Sequence, residues 1–295
     1  MASLSVVVLT LNEEKHIGRC IESVLPFASS VYVVDSGSTD RTADIARSLG
    51  ATVVFHDWVN YAEQLNWSLT TLPIDDEWTM RIDADEYVMP QLAEEINLRL
   101  PELDKSITGI EVKRRVVFMG RWIKHGGVYP TVLLRIWRTG RGRSEDRWMD
   151  EHIVVDSGQV SSFEGDIVDE NLNSLGWWTA KHNRYATREA IDLLASREME
   201  PMHGRPSGQA GRKRWLKSRI YVRIPAGVRP FLYFLYRYAV RGGFLDGRQG
   251  LVFHTLQGFW YRFLADAKVY EIERTACQRG VTPREALVLL YGENF

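Results

Sequence analysis

Short apolar runs and longer amphipathic stretches alternate through the first hundred residues. The run from Leu4 to Leu9 predicts a buried strand. A polar turn, Thr10-Leu11-Asn12-Glu13-Glu14, leads into His16 to Leu25, where Ile17, Cys20, Ile21 and Val24 recur at helical spacing. Val31 to Val34 predicts a second strand ending at Asp35. Ser36 to Asp40 then turns the chain into a helix over Thr42 to Leu49, and Gly50 supplies a natural stop. A third strand over Ala51 to Phe55, a helix around Ala62 to Leu69 and a fourth strand from Trp78 to Ile82 complete the series. Strands alternating with helices predict right-handed crossovers and a mostly parallel sheet.

From about Ile107 the pattern changes. Gly109 to Phe118 and Thr131 to Trp137 predict strands, separated by a loop over Gly120 to Pro130, and Asn173 to Glu198 predicts a helix. Pro201 to Gly211 is a Pro/Gly/Ser linker. The expected architecture is an α/β domain over residues 1–200, with a nucleotide-binding half (1–105) and an acceptor half (106–200). A C-terminal helical extension follows over 201–295.

Composition sharpens this picture. Hydrophobic residues at 45% suffice for a sizeable core. The two cysteines, Cys20 and Cys277, are too far apart for a disulfide framework or zinc spacing and fit a reducing compartment. The first residues lack signal-peptide features and no apolar run is long enough to span a bilayer, so a cytoplasmic location is expected. The net charge of -1 gives no reason to expect a polyanion partner, but it hides a skew. Between Pro201 and Arg262 there are twelve Lys or Arg residues, with Asp246 the only acid, interleaved with aromatic side chains. Such a mixture suits helices lying in the headgroup plane of an anionic membrane; it also suits an ordinary helical subdomain with solvated arginines. No nucleic-acid motif accompanies it, and nucleic acid is not expected as a partner.

Three acidic motifs carry candidate chemistry. Asp35-Ser36-Gly37-Ser38-Thr39-Asp40 stands at a strand's carboxyl end, where open parallel sheets bind ligands, although the same residues also suit a plain helix cap. Asp83-Ala84-Asp85-Glu86 places two carboxylates two residues apart just past a strand, able to share a divalent ion with diphosphate oxygens. Trp148-Met149-Asp150-Glu151-His152 offers two carboxylates, either of which suits a base that takes a proton from an attacking hydroxyl.

Taken with Val6 to Glu14, these motifs resemble glycosyltransferase family 2, which has the GT-A fold. The lipopolysaccharide-core β-glycosyltransferase branch is nearer still. Its features here are Gln64 and Asn66, the H-G-G-x-Y-P loop from His125 to Pro130, the strand Leu134 to Arg138, and Gly242 to Gly247. The resemblance implies an inverting transfer from a nucleotide sugar, a uridine diphosphate donor, to a lipid-linked saccharide. It implies Mn²⁺ or Mg²⁺ as cofactor and peripheral attachment to the inner face of the cytoplasmic membrane. Thr10, Asn12, Glu13, Asp35, Ser36, Gln64 and Asn66 would line the nucleotide pocket, with Asp83 and Asp85 at ribose, diphosphate and metal, Asp85 being the direct ligand. The branch's V-H-E glutamate falls on Glu151, with Asp150 where the family has histidine. His125, Arg135, Arg138 and Lys181 are further candidates for substrate or diphosphate contact. Two other classes remain: a catalytically inactive nucleotide-binding scaffold and a nucleotidyltransferase.

Overall fold

The computed structural model describes residues 3–145, 152–198 and 227–292, which divide into two compact units meeting at Asn173/Ser174. Asp150 and Glu151, the expected linker and the basic segment up to residue 226 lie outside the described residues.

The first unit is built on one mixed sheet. Its elements are β1 (Leu4–Thr10), α1 (Ile17–Val24), β2 (Ser30–Asp35), α2 (Thr42–Ser48), β3 (Thr52–Phe55), α3 (Tyr61–Thr71) and β4 (Trp78–Asp83). Then come β5 (Glu86–Val88), α4 (Pro90–Arg99), β6 (Ile107–Phe118), β7 (Arg121–Ile123), β8 (Thr131–Arg138), β9 (Gly142–Ser144), β10 (Ile153–Val155) and β11 (Gln159–Glu170). The strand order is β3-β2-β1-β4-β8-β6-β11-β5, with β7 on β6 and a separate β9–β10 hairpin. All seven residues of β1 are buried, as a central strand covered on both faces requires. Its pleat sends Val6 and Val8 into the larger core with Ile17, Ile21 and Phe163, and Val7 and Leu9 into a second core with Leu65 and Trp137.

Strand direction decides where a site can form. Strands β1, β2, β3 and β4 are parallel; β8 is antiparallel to β4, β6 is antiparallel to β8, and β11 is parallel to β6. Consequently β1, β2, β4, β6 and β11 all end on one edge of the sheet, and β8 begins there. Strand β11 escapes a periodicity reading because Gln159–Glu170 mixes polar and apolar residues and is bulged between Ser162 and Asp166. At that bulge α4 lies directly on the backbone: a Cβ built on Gly165 would sit 2.5 Å from Leu92 Cα. Gly165→Ala is therefore expected to lose about 2 kcal/mol of stability, the cost of overpacking a close contact, measured by denaturant unfolding against wild type.

The second unit is helical: α5 (Leu175–Glu198), α6 (Val228–Leu235), α7 (Gly247–Phe253), α8 (Tyr261–Arg279) and α9 (Pro283–Tyr291), with π-helical turns at Tyr236–Val240 and His254–Trp260. Helix α5 packs on α8 through Ala186, Tyr261 and Ala265, and its Ile191 and Leu194 meet Ile272, Ala276 and Ala286. It thus belongs with the helices that follow it, and the division falls at residue 173 where the sequence suggested 200. Helical periodicity locates an apolar stripe without naming what covers it.

Candidate functional site

The turns after β1, β2 and β4 converge on the carboxyl edge of the first unit. In register, Thr10 lies opposite Asp35, and Leu9 opposite Asp83, so the ends of β1, β2 and β4 stand side by side. The turn after β1 is locked to the turn after β2. Asn12 holds a left-handed backbone (φ 57°); its side-chain oxygen accepts from Thr39 N at 2.8 Å, while its own N–H donates to Ser38 Oγ at 2.8 Å. Asp35 is turned onto its own loop, accepting from the amides of Gly37 (3.1 Å) and Ser38 (2.9 Å) and from the Ser38 hydroxyl. Gly37, at φ 91°, allows that tight return. The aspartate shapes the turn, Asp40 accepts from Thr42 N at the start of the following helix, and the turn stands at the carboxyl edge of the sheet. Beside it, the Thr10 hydroxyl is buried without a hydrogen-bond partner among the described residues. A buried hydroxyl in that state is a group awaiting a ligand or water.

Gln64 is fully buried and braces the same edge, donating to Ser36 Oγ at 2.9 Å and pairing with His56 Nδ1 at 2.8 Å. Asn66 faces elsewhere. Its amide donates to Ser144 O (3.1 Å) and accepts from Ser144 N (2.9 Å), clamping β9 onto α3. Next to this clamp Glu145 N donates to His152 O at 2.9 Å, so the two residues flanking the segment that carries Asp150 and Glu151 are tied together.

The Asp83 and Asp85 carboxylates have different surroundings. Asp83 receives hydrogen bonds from Tyr61 Oη (2.9 Å), Arg81 Nη2 (3.1 Å) and Arg135 Nη2 (3.3 Å). Burial by itself would raise its pKa, but Arg81 and Arg135, aided by Tyr61, hold it well below the usual carboxylate range. Behind it, Glu86 is buried against Arg135 at 2.6 Å and accepts from Asp83 N at 3.1 Å. Burial pushes the Glu86 carboxyl above its ordinary range against the pull of Arg135. Arg114 adds a third guanidinium, 3.8 Å from Glu86 and 3.6 Å from Asp169. Among the described residues no such cation pairs with the Asp85 carboxylate; its Oδ2 accepts a bond from Asn171 Nδ2 at 3.1 Å.

That contrast tests the fit of a divalent ion. Among the described residues no group of three or more His, Cys, Asp or Glu side chains forms a closed cage. A half-buried carboxylate at the carboxyl edge of the sheet fits Mg²⁺ or Mn²⁺, which keep water and substrate oxygens as their other ligands. Asp85 suits direct ligation; Asp83, with its charge already compensated by two guanidinium groups, suits it less.

The remaining candidates separate by position. Arg135 belongs to the cluster. Arg138, opposite Trp78 at the start of β4, is on the other edge of the sheet and donates to the carbonyls of Ile107 and Leu103. His125 stands in the loop before β8, held by Tyr129 Oη donating to Asp166 at 2.9 Å. Lys181 is in the second unit, 4.9 Å from the Trp177 ring centroid. Residues the sequence reading passed over are Tyr61, Arg81, Glu86, Arg114 and Asn171. Arg81 was within reach of it, since residues two apart on a strand share a face.

The sequence pattern described as "Glycosyl transferase family 2" matches residues 5–172, a span ending just before the boundary between the two units. The lipopolysaccharide core biosynthesis glycosyltransferase LpsC of Rhizobium meliloti (strain 1021) is 30% identical over 284 residues, covering 91% of this chain and 92% of that protein. A glycosyltransferase of Rickettsia bellii (strain RML369-C) is 44% identical over 93 residues, 32% of this chain and 31% of its own. Among solved structures, glucosyl-3-phosphoglycerate synthase from Mycobacterium tuberculosis, in complex with Mn²⁺, uridine diphosphate and glucosyl-3-phosphoglycerate, matches 39% of this chain and 44% of its own. Its identity is 27% and its TM-score 0.31, a partial likeness.

Proposed function

The chain belongs to glycosyltransferase family 2, and from that we propose a metal-dependent, inverting transfer of a sugar from a uridine diphosphate donor to a lipid-linked saccharide of the cell envelope, in the lipopolysaccharide core or a similar glycan. The observation that carries this reading is the convergence of Thr10, Asp35, Asp83 and Asp85 on one sheet edge, where, among the described residues, Asp83 has guanidinium partners and the Asp85 carboxylate has none. Similarity to the Rhizobium enzyme along most of both chains supports the acceptor class.

In this mechanism the Thr10 hydroxyl and the Asp35 turn receive the nucleoside. Arg81 and Arg135 lie beside Asp83, with Arg114 beside Glu86 and Asp169, and these guanidinium groups offer N–H donors to the diphosphate. A bound divalent ion supplies charge neutralisation on the departing nucleoside diphosphate. Glu151 or Asp150 takes the proton from the acceptor hydroxyl as that oxygen attacks the anomeric carbon opposite the leaving group, and a single displacement inverts the centre. His125, in a loop entering β8 at the same edge, is assigned to the acceptor side.

The test is a panel of nucleotide sugars incubated with the protein and Mn²⁺. One donor should be hydrolysed slowly to its nucleoside diphosphate, and chelation should stop it. Release of pyrophosphate from a nucleoside triphosphate would instead indicate nucleotidyl transfer. A protein that neither turns over nor binds any nucleotide, by calorimetry, would overturn the reading.

The second unit supplies the membrane side of this proposal, at the inner face of the cytoplasmic membrane. Among the described residues no helix is long and apolar enough to cross a membrane. Large apolar side chains are nonetheless exposed from α6 to α7: Phe231, Leu232, Val240, Phe244 and Leu245 are each at least 47% accessible. Arg241 and Arg248 are exposed among them, whereas Asp246 is buried. Apolar and basic groups exposed together suit an anionic lipid surface. The protein is expected to float with vesicles containing anionic lipid and much less with neutral ones, each basic contact adding about 1 kcal/mol. Equal failure to bind both would remove the membrane from the scheme.

A further inference from the structure

The end of β11 grips the Asp85 turn. Glu170 N donates to Asp85 O at 3.1 Å, and Arg19 Nη2 donates to Glu170 O at 2.7 Å while its Nη1 pairs with the Glu170 carboxylate. The next residue, Asn171, reaches the Asp85 side chain. Which end of the Asn171 amide faces Asp85 is fixed by a neighbour: Asn173 N–H must donate, and it meets Asn171 Oδ1 at 2.9 Å. The amide NH₂ is thereby turned onto Asp85 Oδ2.

One more residue along, Leu172 N donates to His16 Nε2 at 2.8 Å. An imidazole that accepts at Nε2 while neutral carries its proton on Nδ1, and Nδ1 lies 2.5 Å from the Glu13 carboxylate. His16 is buried. Glu13 is thereby bonded to a histidine whose other nitrogen holds the backbone next to Asn171.

We propose that Asn171 is a positioning residue that sets the Asp85 carboxylate for a divalent cation, and that the Glu13–His16 pair holds Asn171 in place. The inference rests on the metal reading of Asp85 given above. A hydrogen bond to one oxygen of a ligating carboxylate fixes its rotation and leaves the other oxygen directed at the ion; loss of such an outer partner weakens metal binding by roughly 10- to 100-fold.

The test is Mn²⁺ affinity of the full chain, by electron paramagnetic resonance titration with saturating uridine diphosphate, beside calorimetry of uridine diphosphate without metal. Asn171→Ala should weaken Mn²⁺ about tenfold or more and leave metal-free nucleotide binding within about twofold, with an unchanged melting temperature. Glu13→Gln keeps a hydrogen-bond acceptor for His16 but removes its charge, and should give a smaller loss of Mn²⁺ affinity in the same direction. It stands as the second probe if Asn171→Ala unfolds. Wild-type Mn²⁺ affinity in both variants would overturn the positioning role while the metal site stands. Equal losses of Mn²⁺ and metal-free nucleotide would overturn it as well, marking a general collapse of the pocket. If the wild-type protein takes up no Mn²⁺ with uridine diphosphate, the metal reading itself falls, and this proposal with it.

Discussion

Asp85→Ala is expected to lower sugar transfer by about 10²–10³-fold, the usual loss when a charge-stabilising group is removed from a developing leaving group. The fold should survive, because among the described residues the Asp85 carboxylate accepts only the bond from Asn171, and its backbone carbonyl remains held by Glu170. The same change at Asp83 would be a poorer probe. It would strip a carboxylate from Tyr61, Arg81 and Arg135 together and leave Arg135, buried against Glu86, with less compensation. Breaking a buried ion pair from one side costs about 3–5 kcal/mol, so lost activity there would mix chemistry with unfolding. Transfer and donor hydrolysis measured at saturating Mn²⁺, with circular dichroism as the fold control, check the expectation. An Asp85→Ala protein that retains more than about a tenth of wild-type turnover, well above the 10²–10³-fold loss expected, would remove Asp85 from the metal.

Glu151→Gln should have the second large effect, a fall of about 10²–10⁴-fold in turnover with the donor KM little changed, as for loss of a general base. Asp150→Asn should fall much less if the family's glutamate is the base here too. The two substitutions decide between neighbours that the sequence leaves open. A reversed order would assign the base to Asp150. Near-wild-type turnover in both would place the base outside this turn.

The parallel half was legible because its strands are short, apolar and closed by acidic turns at regular intervals; the predicted run from Leu4 to Leu9 became β1 over Leu4–Thr10, buried as expected. Edge and bulged strands were less legible. Three-residue β5 and β7 are too short to show a period, and β11 is held by its neighbours more than by its own alternation. At the site, the sequence located the acidic turns but not how each carboxylate is used. The family resemblance favours Asp85 over Asp83 as the metal ligand, but the surroundings that distinguish the two carboxylates come from residues as distant as Arg135 and Asn171. Asn66 shows the same limit, sitting one turn-face away from Gln64 yet bonded to Ser144, 78 positions further on.

The hydrogen bonds that hold Asp85 among the described residues come from Arg19, Glu170 and Asn171, and the Leu172–His16 bond behind them closes one residue before the first unit ends. Modular exchange follows from that placement. A hybrid joined at 173/174 carries the whole donor-side brace with its first segment, whatever helical unit is grafted after it. A junction even a few residues earlier, inside 168–172, would import a foreign residue at the position that steers Asp85. Recombination between relatives thus has a natural seam.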